Sequence, residues 1–248
     1  MTLWRLEWLR LVRTRRWLTL LIAYLFFGLL GPITARYMGE IFARFGEDVT
    51  VTFPDPTPAD GITQFVGNAS QIGVLVAVIV AAGALCLDAT PEIGTFFRTR
   101  VPSVARILVP RFAVTVAAVV AAFALGTVAA WYETEVLIGS VAPGPLWTGW
   151  LLGAIYLVFV VAVVTAVAAK ASSVLATVLI TLVLLLVLPI LGIVPSLAKW
   201  LPSHLVGALD AMVRGAALSE YLPATGVTIV VAGAALFAAF RSSARREL

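Results

Sequence analysis

The residues able to carry chemistry in this chain are few and fall into two groups. The first lies between positions 88 and 111, where Asp88, Glu92, Arg98, Arg100 and Arg106 alternate with Ile93, Phe96, Phe97 and Val101. Charges that set register beside apolar anchors that fill a pocket are what a protein-docking segment needs, and Gly94 permits a tight turn or a close backbone approach. The plain alternative is a basic loop whose arginines only fix membrane orientation. The second group is Gln64, Asn68 and Gln71, whose i, i+4, i+7 spacing puts them on one helical face. They line a path for a substrate or hydrogen-bond to neighbouring helices, and the residues favour neither.

Other chemistries lack their parts. The only lysines are Lys170 and Lys199, and neither follows a glycine-rich phosphate loop, so the chain is not expected to hydrolyse a nucleotide alone. His204 is the sole histidine and Cys86 the sole cysteine, which leaves no constellation for zinc or for a nucleophile and its base. Neither a bound cofactor nor a metal is expected, and the chain reads as a non-enzyme.

The elements that must position these residues follow from composition. Of 248 residues, 61% are hydrophobic and 12% charged, against about half and about a quarter in a soluble domain. Six segments, Trp17–Ala35, Gly61–Leu87, Phe112–Trp131, Leu146–Ala169, Ala171–Ala198 and Leu222–Phe240, contain no Asp, Glu, Lys or Arg. About 20 apolar residues of helix cross a bilayer core, and continuous Ala, Leu and Val runs favour helices over the alternating strands of a barrel. The expectation is an all-α membrane protein forming a single domain over residues 1–248. Its six transmembrane helices are placed at about 17–37, 64–87, 108–131, 147–169, 173–194 and 222–240. The first run is too long for a cleaved signal and is expected to remain.

Charge then orients the bundle. With both termini on the same side, that side carries 13 basic and 4 acidic residues, a net +9, and the other carries 4 basic and 9 acidic, a net −5. Basic residues mark the cytoplasmic face, so both termini are expected inside a multi-pass protein. The sequence pI of 9.6 is then a topology signal rather than a mark of nucleic-acid binding, and the basic face is drawn to anionic membrane lipids.

Three flanking segments have character. Residues 1–16 place Trp4, Trp8 and Leu11 on one face, which suggests a helix lying in the inner interface, with Glu7, Arg10 and Thr14 as its polar stripe; the alternative is a plain positively charged anchor. Pro54, Pro56 and Pro58 deny a regular helix before the second span, which Asp60 or Thr63 is expected to cap. After the fifth span, Pro189 either kinks the helix beside Gly192 or helps to end it. Ser203–Ala217 then reads as a short outer helix with Ser203 as its N-cap. Asp88, Arg111, Arg36 and Glu133 all fall at span ends, where water or headgroups can solvate them. No ionisable residue is required deep in the bilayer, which argues against a proton- or ion-coupled carrier.

The order of these parts resembles the ABC type-2 exporter permease family. The likeness covers the whole chain: an N-terminal interfacial helix, six crossings, a substantial cytoplasmic loop between helices 2 and 3, and an outer helical insert between 5 and 6. Its sharpest point is Glu92 before Gly94-Thr95, followed by Pro102-Ser103 and then Arg106 and Arg111. The resemblance implies that this loop is a coupling element seated on an ATP-binding cassette subunit, through Glu92, Ile93, Gly94, Thr95, Phe96, Phe97, Arg98, Arg100, Pro102 and Arg106. It also implies a second permease subunit, identical or related, with ATP and Mg held by the separate ATPase. The expected location is a bacterial or archaeal cytoplasmic membrane, and the expected cargo is hydrophobic or amphipathic. An ATP-independent carrier and a non-transporting immunity or anchoring protein remain the alternatives.

Overall fold

The computed structural model describes residues 2–45, 55–86, 105–171 and 173–244. Among these residues the regular structure is entirely helical, and six helices are long and apolar enough to cross a membrane. Helix α1 (Leu3–Arg13) leads through Thr14 and Arg15 into α2 (Arg16–Phe45). Arg15 sits at φ 54°, a left-handed conformation in which the chain turns sharply between the two helices.

The second span is one rod made of three pieces: α3 (Pro58–Asn68), a π-helical turn over Ala69–Gly73, and α4 (Val74–Leu85). Its start differs from the expected cap. Thr57 is the N-cap, and the Asp60 carboxylate accepts hydrogen bonds from the Thr57 backbone N–H at 2.8 Å and from its hydroxyl at 2.7 Å. Asp60 is therefore the third helical residue of a capping box, with Pro58 at the first helical position, where its missing N–H costs nothing.

The third span is α5 (Ala105–Leu137), which continues through Glu133 and Glu135. The Glu135 carboxylate accepts from the Val141 N–H at 2.9 Å and so closes the turn into α6 (Pro143–Ala168). Helix α7 (Val174–Leu191) starts on Ser173, whose hydroxyl accepts from the Ala176 N–H at 3.1 Å. Pro189 lies in its last turn and Gly192 caps it, so this proline marks the end of the helix. The segment before the last span is more broken than the single helix expected. It comprises α8 (Pro195–Ala198), a 3₁₀ turn over Pro202–Gly207, α9 (Ala208–Val213) and a second 3₁₀ turn at Leu218–Glu220, ahead of α10 (Leu222–Ala244). Ser203 falls inside the first 3₁₀ turn, and Leu201 precedes it as the cap.

Helix α6 is the centre of the bundle, with Val160, Val161, Ala162 and Val164 fully buried. Helices α2 and α5 run parallel and cross at backbone contact. A side chain at Gly28 would land on the Gly126 carbonyl, and one at Gly126 would lie 2.7 Å from the Tyr24 carbonyl oxygen. Small residues of this kind are what let helices approach in an apolar medium. Helices α7 and α10 sit at the edge and present Leu175, Leu186, Val230 and Phe237 outward. That is the arrangement of a bundle whose solvent is lipid, where an apolar exterior carries no penalty.

Candidate functional site

The described part of the expected coupling segment begins at its last residue. Glu92, Ile93, Gly94, Thr95, Phe96, Phe97, Arg98, Arg100 and Pro102 lie outside the described residues. Arg106 occupies the first turn of α5, exposed, beside Trp4 and Pro110 in an open cleft against the start of α1.

One turn further on is a feature that the sequence reading missed. Arg111 is 2% exposed and Glu7 7%, and the Arg111 Nε–H donates to Glu7 Oε1 at 2.8 Å. A residue expected at a solvated helix end is instead buried, and a residue placed on the polar stripe of α1 pins that helix to α5. Of that stripe Glu7 is buried, Arg10 half-buried and Thr14 exposed, while Trp4 and Trp8 face outward at 52% and 55% exposure and Leu11, expected on their face, is buried. Arg10 stands 3.9 Å from the second Glu7 oxygen, and the Arg16 guanidinium covers Gly83 near the end of α4. Two charges withdrawn from water hold only while both are present, because either one alone bears its full desolvation cost. The available signal was Glu7 itself, the single acid among the five arginines of the first 16 residues.

At the opposite end an exposed network ties the start of α3 to α9. Arg214 donates to Asp60 Oδ1 from Nη2 and to Asp210 Oδ1 from Nε, both at 2.9 Å, and to the Thr63 hydroxyl at 2.6 Å. The Thr63 hydroxyl in turn lies within hydrogen-bond distance of Asp210. Hydrogen bonding to Asp60 is the largest influence on Arg214 and, with Asp210, holds its guanidinium above the ordinary arginine pKa. Helix α9 also seats on α6, where a Cβ at Gly149 would come within 2.5 Å of the Leu209 Cα.

The three polar residues of the second span are separated rather than joined. Gln64 lines a cleft of about 460 Å³ with Arg36, Glu40, Asp55 and Asp60. The Asn68 side-chain amide donates to the Gln64 carbonyl at 2.9 Å, within its own helix. Gln71 lies inside the π turn and is exposed. Because a π turn holds more residues than an α turn, the i, i+7 spacing no longer aligns Gln71 with Gln64.

The interior of the bundle carries its own site at that π turn. Tyr24 from α2, Ser70 from the π turn, Phe123 from α5, Tyr156 from α6 and Leu209 from α9 surround a cavity of about 30 Å³, room for roughly one water molecule. The Tyr24 side chain is buried and its hydroxyl has no hydrogen-bond partner among the described residues. Its ring packs edge-on against Phe123 at 5.8 Å. Gly73 makes room for the phenol, since a Cβ there would lie 2.9 Å from the ring. A cavity with aromatic walls and hydroxyls but no charged lining residue suits an uncharged hydrogen-bonding group. No protein-family model, curated protein or solved structure matches the chain, so the geometry of these sites has to carry the functional reading.

Proposed function

We propose that this chain is the permease subunit of an ATP-driven exporter of the ABC type-2 kind. In this reading both termini are cytoplasmic, two permease subunits enclose a pathway, and two ATPase subunits dock on the loops around Glu92–Arg106. ATP-driven closure of the ATPases pushes these loops, reorients the second and fifth spans, and releases a hydrophobic or amphipathic substrate outward.

The observation that supports it best is the buried Glu7–Arg111 pair at 2.8 Å. It lies just beyond the proposed docking segment and fastens α1 to the first turns of α5. A push delivered there moves α1 and α5 as one body, and α5 passes it to α2 at the Gly28–Gly126 crossing. A segment that only fixed orientation would need no such fastening. The absence of Asp, Glu, Lys and Arg from the six apolar runs favours an uncharged or amphipathic cargo over a small ion.

The test is reconstitution in vesicles with a phosphate-loop ATPase, sought first in the adjacent reading frames. ATP-dependent efflux of a lipidic dye and co-purification of the ATPase are expected, and both are expected to be lost with Glu92→Ala combined with Arg98→Ala. If that double variant bound the ATPase and transported like the unaltered protein, the coupling assignment would be wrong. Transport without ATP would instead identify a carrier, and neither transport nor ATPase binding would identify an anchoring or immunity protein.

A further inference from the structure

Helices α7 and α10 both pack on α6. The gap between them is an apolar groove of about 420 Å³. Its floor is Val163 and Val167 of α6, its walls are Ile180 and Leu184 of α7 and Ala235 of α10, and Lys170 stands at its mouth. Ile180 and Leu184 are each 47% exposed, so the groove opens sideways rather than into the bundle.

From these features we infer that the groove is a binding site for one anionic glycerophospholipid of the inner leaflet, with its phosphate on Lys170 and an acyl chain along Val163, Val167, Ile180 and Leu184. The inference rests on the orientation proposed above but not on coupling to an ATPase.

Three observations fit this occupant. The first is depth. At 1.5 Å per residue, Leu184 lies about 15 Å beyond the start of α7 at Val174, which matches one leaflet of a hydrocarbon core about 30 Å thick. The second is the lining. Apart from Lys170 the groove is walled by the aliphatic side chains of Val163, Val167, Ile180, Leu184 and Ala235, which suit a hydrocarbon chain. The third is charge. Among the described residues the only ionisable one lining the groove is Lys170, whose ammonium with three donor hydrogens can meet a phosphate while keeping any other contact it makes. A basic position between transmembrane helices on the cytoplasmic side is where anionic headgroups are recognised.

The test uses the full chain purified into detergent micelles containing equimolar phosphatidylglycerol and phosphatidylcholine, with lipid retention read by native mass spectrometry. The unaltered protein is expected to retain one phosphatidylglycerol with about fivefold preference over phosphatidylcholine, the worth of one lysine near an anionic lipid. Lys170→Gln should abolish the preference and Lys170→Arg should keep it. Ala235→Phe, which fills the groove, should reduce retention of both lipids while thermal unfolding confirms that the variant is folded. Ile180→Phe narrows the groove from the opposite wall and serves if Ala235→Phe does not fold. Equal retention of the two lipids by the unaltered protein would overturn the proposal, as would an undiminished preference in Lys170→Gln. So would a groove-filling variant that changed the mass of the oligomer and left lipid retention alone. None of these outcomes depends on ATP, so failure here and failure of the exporter reading are distinguishable.

Discussion

At both ends of the bundle a guanidinium meets a carboxylate at 2.8–2.9 Å, yet the surroundings differ. At the α1 end Arg111 and Glu7 are almost fully enclosed, with side chains 2% and 9% exposed. At the opposite end Arg214 is 45% exposed and Asp60 41%. Geometry alone would rate these pairs equal. Burial separates them, because a buried partner left alone keeps its charge without water, whereas an exposed one is rehydrated. The α1 end is therefore fastened by charge. The opposite end is fastened by packing, chiefly of α9 on Gly149, with its ion pairs as trim.

The largest expected effect tests the first half of that contrast. Arg111→Ala should destabilise the protein by about 3–5 kcal/mol, the range for breaking a buried pair, measured as the unfolding midpoint in mixed micelles. Amide exchange should show α1 opening locally. Replacing both partners, with Glu7→Leu and Arg111→Met together, should recover part of the loss, because neither member of this pair is then left charged without the other. If the double replacement proved as damaging as the single one, the pair would not be what holds α1.

Next in size is the packing contact at the other end. Gly149→Val places a side chain against the Leu209 Cα and the Ala208 carbonyl oxygen, backbone atoms that cannot swing aside. An overpacking cost of about 1–3 kcal/mol is expected, together with loosening of α9 and of the Arg214 network that depends on its position. A loss below that of Arg214→Ala would reverse the assignment of packing and charge at this end.

A smaller effect concerns the elbow at the α1 end. Arg15 is exposed and holds a left-handed conformation. Arg15→Gly relieves about 1–2 kcal/mol of steric cost and adds about 0.5–1 kcal/mol of chain entropy. The net expectation is a gain of about 0.5–1 kcal/mol, seen as a higher unfolding midpoint. That gain should add to the effect of Arg111→Ala if the latch and the elbow act independently.

What was legible in the sequence follows the same division between local and non-local causes. The six helices long enough to span follow from uninterrupted apolar runs, each a property of its own segment. The capping box at Thr57-Pro-Ala-Asp60 is also legible, as a Thr followed three residues later by an acid, although Pro54, Pro56 and Pro58 around it read as helix breakers. The π turn was not, because Ala-Ser-Gln-Ile-Gly is as compatible with an α-helix as with a wider turn. What distinguishes it is the fit of Tyr24 against Gly73 from another helix. The Glu7–Arg111 pair joins residues 104 positions apart, and a charge count can register Glu7 only as a minus sign in a basic segment. Arg111 looked solvated for a related reason: distance from the end of an apolar run measures depth along the membrane normal, whereas burial against α1 is lateral.

The smallest expected effect is the one that most sharply separates the two ends. Arg214→Ala removes two ion pairs and a hydrogen bond to Thr63, more polar contacts than Glu7 provides to Arg111. Its cost should nevertheless be only about 0.2–1 kcal/mol, since water replaces much of what is lost around Asp60 and Asp210. The loss should shrink further at 1 M salt, where screening acts over about 3 Å, whereas the cost of Arg111→Ala should barely change, because counterions cannot reach a buried pair. Measuring both variants at low and high salt therefore separates a buried pair from an exposed one. A cost for Arg214→Ala equal to that of Arg111→Ala and indifferent to salt would mean that α9 is held by charge after all.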